Sequence, residues 1–120
     1  MQILKLSKKA YKQYTSSVKE NEDTGLDQAA RKLTRNVQIV KEKVEKHRWM
    51  KDNLVIEGTL STTYCYGSLH IKVRNGKVVG IKNHQEDKNF EFFVPKKRYI
   101  QLSRQLGIEG YESKFGSKYA

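Results

Sequence analysis

The chain has 120 residues, of which 37% are hydrophobic and 31% are charged, so it is long enough for one modest core and too short for two. Its formal net charge of +11 favours nucleic acid or another polyanion as a partner, although such an excess also serves solubility. The single cysteine, Cys65, excludes an internal disulfide framework and favours the cytoplasm, and apolar runs such as 54–56 are far too short to cross a bilayer.

The first predicted helix spans residues 8 to about 20, after a short strand at 2–6, and it begins with two lysines. Ser7 is a suitable cap residue, which puts Lys8 and Lys9 in the first helical turn. That turn already carries partial positive charge and unpaired N–H groups, so cations there are unfavourable unless an anion is shared. We therefore expect an anion site, with lysines that merely extend into water as the alternative.

A long second helix is predicted from about residue 25 to residue 50. Its apolar seam has heptad-like spacing and consists of Leu26, Ala30, Leu33, Val37, Val40, Val44 and His47. Such a seam packs against the rest of the fold or joins two copies in a homodimer through residues 26–47. Residues 31–51 carry a net charge of +6, and the candidate phosphate contacts among them are Arg31, Lys32 and Arg35.

The strongest local signal is Asn75-Gly76 between two alternating segments, which predicts a two-residue type I′ hairpin. Regular pairing across this turn places Val73 opposite Val78, Ile71 opposite Gly80, and Leu69 opposite Lys82. The other face is basic near the turn, through Lys72, Arg74 and Lys77. A basic hairpin tip is typical of strands that contact nucleic acid, but charged tips also prevent aggregation between strands.

The last predicted helix begins at Pro95 and ends before Gly107, a plausible C-terminal cap. A strand at 89–94, with Phe90 and Phe92 on one side, precedes it. The start of the helix repeats the Lys-Lys-x-Tyr-x-Gln pattern of the first helix and offers Lys96, Lys97 and Arg98 as further phosphate contacts.

These elements predict an α+β fold: two N-terminal helices of which the second is long, a small antiparallel sheet with a type I′ hairpin, and a C-terminal helix. We expect one domain over residues 1–120. It comprises a mainly helical half at 1–51, the sheet and last helix at 52–107, and a weakly ordered tail at 108–120.

No catalytic signature or cofactor motif is evident in the sequence. The histidines, His47, His70 and His84, lie far apart along the chain with no Cys, Asp or Glu at ligand spacing, so we expect no metal site. We also expect no enzymatic activity, with an enzyme acting on phosphodiesters as a remote alternative.

The segment from Tyr66-Gly67-Ser68 through Asn75-Gly76-Lys77-Val78-Val79 resembles a β-hairpin of small uncharacterised proteins from bacilli and their phages. In those proteins a Gly-Ser pair opens a strand, and a Gly-Lys-Val-Val turn returns it. The resemblance covers about 16 residues and implies a bacterial or phage-infected cell as the setting, with no activity attached.

The sequence thus predicts a non-enzymatic protein that binds DNA or RNA through basic helix starts, a long basic helix and a hairpin tip. The alternative is a phage-encoded inhibitor or accessory protein that binds a host protein or a nucleotide signal. The candidate nucleic-acid contacts are Lys8, Lys9, Arg31, Lys32, Arg35, Lys72, Arg74, Lys77, Lys96, Lys97 and Arg98.

Overall fold

The computed structural model of the chain describes residues 1–18, 23–84 and 92–111. The strands are β1 (Lys5–Leu6), β2 (Val55–Glu57), β3 (Thr62–Tyr66), β4 (Leu69–Arg74) and β5 (Lys77–Asn83). The helices are α1 (Lys8–Ser17), α2 (Leu26–Lys46), the short α3 (Lys51–Leu54) and α4 (Lys96–Gln105), with a 3-10 turn at Arg48–Met50. The predicted α+β class is confirmed.

The strands form one sheet in the order β1-β5-β4-β3-β2. Neighbouring strands are antiparallel except for β1, which pairs in parallel with β5 at the edge. Since β1 precedes the first helix, the helical half of the chain contributes a strand to the sheet. The two predicted halves therefore share one sheet.

The predicted hairpin turn is present, but the predicted register of its strands is wrong beyond the first two pairs. Asn75 and Gly76 have φ of 49° and 74°, the two positive values that a type I′ turn requires. Arg74 pairs with Lys77 and Val73 with Val78, and a bulge follows.

Val79 is the extra residue of the bulge, so Ile71 pairs with Ile81 instead of Gly80, and Leu69 with Asn83 instead of Lys82. The physical reason is burial. Regular pairing would turn Ile81 away from the core, whereas the bulge returns Ile81 to the face that already buries Ile71.

Local capping defines the start of α1 and the end of α4. The Ser7 side chain accepts a hydrogen bond from the Ala10 N–H at 3.0 Å, which confirms it as the cap of α1. At the other end of the chain, Gly107 has φ of 69°, and the Ile108 N–H donates to the Ser103 carbonyl at 2.9 Å. This is a Schellman ending of α4, as the glycine predicted.

Several predicted segments differ from the structure: β1 covers only Lys5–Leu6 of the predicted strand at 2–6, and α1 ends at Ser17 rather than near residue 20. α2 ends at Lys46 rather than near residue 50, because His47 leaves helical geometry with φ of −130° and ψ of 78°. Residues 92–94 belong to no strand, and the rest of that predicted strand lies outside the described residues. Ile108 is buried, so the predicted weak order does not begin there; residues 112–120 lie outside the described part of the chain.

The main core lies between the sheet and the helices α1 and α2, and a smaller cluster joins α2 to α4. Leu33, Val37 and Val40, the middle of the predicted seam, are at most 2% exposed within this single chain. The seam therefore packs within the chain along its middle, and the residues at its ends, Leu26 and His47, are exposed.

Candidate nucleic-acid interface

One face of the sheet carries exposed cations from three neighbouring strands. Residues paired directly across strands point to the same face, and side chains alternate along each strand. The pairing places Lys5, Lys77 and Arg74 in one row across β1, β5 and β4, and Lys72 and Lys82 follow on the same face. All five are exposed. We call these five residues the cationic face.

Strands β1 to β5 place no carboxylate on this face. Glu57, the acid of β2, pairs with Thr62 and so points to the opposite side of the sheet. Like charges directly opposite each other destabilise a sheet. Lys77 has such a neighbour on both sides, Lys5 and Arg74, and a bound anion would relieve that repulsion.

A groove of about 670 Å³ extends the cationic face toward α1. Lys9 reaches it from the first turn of α1, beside Lys72 and Lys82 from the sheet. Gly80 has no side chain, and the Lys72 stem lies across it, with Cβ at 3.6 Å from the position a Gly80 Cβ would take. The groove is therefore open to solvent and lined by ammonium groups.

His70 and His84 also line this groove, and their ring centroids are 4.2 Å apart. The fold thus brings together two histidines that lie far apart along the chain. Within the described residues, no group of three or more His, Cys, Asp or Glu side chains is placed to hold a metal ion.

Arg31 and Arg98, both predicted contact residues, form ion pairs with other described residues. Arg31 Nε lies 2.9 Å from Asp27 Oδ2, and its NH1 group donates to the Leu106 carbonyl at 2.6 Å. Arg98 donates from Nε and NH2 to the two carboxylate oxygens of Glu42, each at 2.7 Å, which lowers the pKa of Glu42. These guanidinium groups tie α2 to α4 and its C-terminal end, so the structure assigns them a structural role.

Arg35 is the clearest departure from the predicted surface. Its residue is only 5% exposed, its Nε–H donates to Asn36 Oδ1 at 3.1 Å, and its NH1 donates to Ser103 Oγ at 3.2 Å. The guanidinium carbon also lies 4.0 Å from the centre of the Tyr99 ring, a cation–π contact. Burial lowers the pKa of Arg35. An extended nucleic acid on the surface has no access to it.

The remaining predicted residues divide between two sides of the molecule. Lys32, Lys96 and Lys97 belong to α2 and α4, which pack against each other on the helical side of the sheet. Lys97 is exposed there, whereas Lys32 and Lys96 are partly buried. Lys8 and Lys9 are exposed in the first turn of α1, and Lys9 lines the groove beside the cationic face.

Comparison with known proteins identifies the family of the chain. The family model described as YorE matches residues 4–105. The chain belongs to the YorE family. It is 36% identical over 116 residues to the SPbeta prophage-derived uncharacterized protein YorE of Bacillus subtilis (strain 168), which covers 91% of this chain and 85% of that protein. No solved structure matches.

The match to the YorE family confirms a relationship to small uncharacterised proteins of phages and Bacillus, and it does not test the hairpin motif on which the resemblance was based. No helix in the described residues of this YorE-family chain is long and apolar enough to span a membrane.

Sequence reasoning missed Lys5 and Lys82 as members of the cationic face. Lys5 joins it because β1 pairs with β5, a contact between distant parts of the chain. Lys82 joins it because the bulge at Val79 moves Lys82 to the side of His70. Regular alternation along residues 77–82 would place Lys82 on the core side of the sheet. The signal in the sequence for the bulge is Ile81, an apolar residue that regular alternation would place on the solvent side.

Proposed function

We propose that this YorE-family protein binds nucleic acid, without enzymatic activity, through the cationic face of its sheet. The observation that carries the proposal is the row of Lys5, Lys77 and Arg74 across three strands, on a face where the strands place no acid. Contacts to phosphate supply most of the affinity of sequence-independent binding, and they need cations without competing carboxylates. The cationic face meets that condition.

The position of the hairpin favours the same function. β4 and β5 lie inside the sheet between β1 and β3 and are joined by an exposed tight turn, so the cationic face is a sheet surface that can follow a phosphate backbone. The basic groove with Lys9 continues this surface toward α1. The proposal leaves out Arg31, Arg35 and Arg98, because the structure uses these guanidinium groups internally.

The direct test replaces cations on this face and measures binding. The triple variant K72Q/R74Q/K77Q removes three adjacent charges whose side chains are exposed, so we expect no large loss of stability. In a mobility-shift assay at low salt, with single- and double-stranded DNA and RNA probes, we expect the affinity to fall at least about tenfold.

A matched control separates this face from net charge. The variant K46Q/R48Q/K97Q also replaces two lysines and one arginine at exposed positions, and it lowers the formal net charge of +11 by the same amount. Its residues lie at the end of α2, in the turn that follows, and at the start of α4. We expect it to bind nearly as the unmodified protein does. Equal loss in both variants would show unspecific charge attraction and contradict the proposed face.

A second candidate function is an inhibitor or accessory protein, encoded by a phage, that docks on a host protein in the cytoplasm. Its supporting observation is Trp49, which is 72% exposed in the turn after α2, because tryptophan is enriched at the energetic centres of protein interfaces. Capture of partners from a Bacillus lysate, with and without nuclease, distinguishes the two functions. A partner that survives nuclease and is lost with Trp49→Ala favours the docking role.

A further inference from the structure

A second concave site lies on the helical side of the sheet, opposite the cationic face. This cavity of about 540 Å³ opens between α1, α2, α4 and the turn that joins β3 to β4. Its volume falls in the range of small-molecule sites. The residues on which the argument rests are Tyr14, Arg35, Tyr66, Phe92, Tyr99 and Tyr111.

Arg35 brings to this cavity a buried positive charge whose partners among the described residues are neutral. Only 5% of Arg35 is exposed. Two of the five N–H groups of its guanidinium donate hydrogen bonds to neutral partners, Asn36 and Ser103. No carboxylate of the described residues lies within ion-pair distance of it; Glu109, which also lines the cavity, is exposed. Buried guanidinium groups normally have an anionic partner.

The surrounding tyrosines do not supply that negative charge. Burial raises the pKa of Tyr14 to about 12, and it also raises the pKa of Tyr66 and Tyr99, so all three hydroxyls stay protonated at neutral pH. They offer neutral hydroxyl and ring surfaces around the cation. Among the described residues, no group therefore supplies a counter-ion to Arg35, and an anionic ligand in the cavity would supply one.

Aromatic rings form another wall of the same cavity. The rings of Tyr66 and Phe92 meet edge to face with centroids 5.1 Å apart, and both side chains are only partly buried. Tyr111 also lines the cavity and is fixed by Arg104, whose Nε–H donates to its hydroxyl at 2.9 Å. The cavity thus combines one buried cation with partly accessible rings, a pairing that suits a flat molecule carrying an anionic group.

We propose that this cavity binds a small anion with a planar ring, of the chemical class of a nucleoside monophosphate, whose anionic group pairs with Arg35. The ring then packs against Phe92 and Tyr111. This site is independent of nucleic-acid binding at the cationic face, and each proposal stands if the other fails.

The test is a calorimetric titration with the four common ribonucleoside 5′-monophosphates. Adenosine, which has the ring without the phosphate, and inorganic phosphate, which has the anion without the ring, serve as half-ligands. We expect at least one monophosphate to bind with Kd below about 1 mM, and each half-ligand to bind at least about tenfold more weakly. Arg35→Gln should weaken that binding at least tenfold. Arg35→Lys keeps the positive charge but loses the bidentate hydrogen-bond geometry of the guanidinium group, and it should weaken binding less. The variant K72Q/R74Q/K77Q should bind the monophosphate normally.

A measurement on the unmodified protein keeps the proposal falsifiable if the Arg35 variants fail to fold. The Nε–H resonance of Arg35 should shift on titration with the monophosphate and saturate with the same Kd as the calorimetric signal. Absence of any shift up to about 10 mM of every probe would overturn the proposal, as would equal affinity of Arg35→Gln and the unmodified protein.

Discussion

At the scale of single residues, the arginines of α2 show how chemically similar side chains take different roles. Arg31 is exposed enough to pair with Asp27, whereas Arg35, one turn later, is buried against Tyr99. A buried charge with only neutral partners costs several kcal/mol of desolvation, and a desolvated cation–π contact offsets about 2 kcal/mol of it. The remaining cost is what a bound anion would lower.

The buried tyrosine Tyr14 predicts how stability depends on alkaline pH. Burial raises its pKa in the folded protein from the usual 10.0 to about 12, so the folded state holds the proton more tightly than the unfolded state. Its stabilising effect is complete below pH 10 and is lost as pH rises from 10 to about 12. The full shift corresponds to roughly 3 kcal/mol.

The check is the free energy of unfolding in urea, measured across that pH range for the unmodified protein and for Tyr14→Phe. Lysines also titrate there, and they are common to both proteins. We expect the unmodified protein to lose more stability than Tyr14→Phe between the two ends of the range. Identical pH profiles would contradict the predicted shift of the Tyr14 pKa.

At the scale of elements, the hairpin separates what local sequence determines from what it does not. The turn was predictable because Asn75 and Gly76 adopt positive φ readily and lie next to each other. The bulge was not predictable from local sequence, since it accompanies the burial of Ile81 against the helices. Gln13 of α1 also contacts it there, because its Oε1 accepts a hydrogen bond from the Ile81 N–H at 2.9 Å. That contact joins distant parts of the chain, and no periodicity within β5 reports it.

The Gln13 contact gives a prediction about the bulge. Gln13→Ala leaves the Ile81 N–H, in a buried residue, without its acceptor, and we expect a loss of about 1–3 kcal/mol in the free energy of unfolding. Gln13→Glu keeps an acceptor and should recover most of that loss.

The matched control for Gln13 is Gln105→Ala at the exposed end of α4, which should change stability by no more than about 0.5 kcal/mol. Urea denaturation of the four proteins at neutral pH provides the comparison. If Gln13→Ala and Gln105→Ala have the same stability, Gln13 does not hold the bulge.

At the scale of the whole molecule, the fold distributes the charges of a strongly basic sequence over distinct surfaces. The class of fold, the caps at Ser7 and Gly107, and the basic hairpin tip followed from local signals. Which residues form the candidate site did not follow from local signals. The pairing of β1 brings Lys5 beside Lys77, and burial removes Arg35 from the surface. Charge counting along the chain cannot distinguish an exposed lysine from an arginine in the core.

The central claim is that phosphates bind at the cationic face, and the salt dependence of affinity tests it most directly. Each phosphate contact adds about −0.9 to the slope of log affinity against log salt on duplex DNA, so about six contacts give a slope near −5. We expect K72Q/R74Q/K77Q to flatten this slope by about 2.7, measured by fluorescence anisotropy with one duplex probe, while K46Q/R48Q/K97Q keeps the original slope. An affinity that does not depend on salt, or an unchanged slope in the K72Q/R74Q/K77Q variant, would contradict the account.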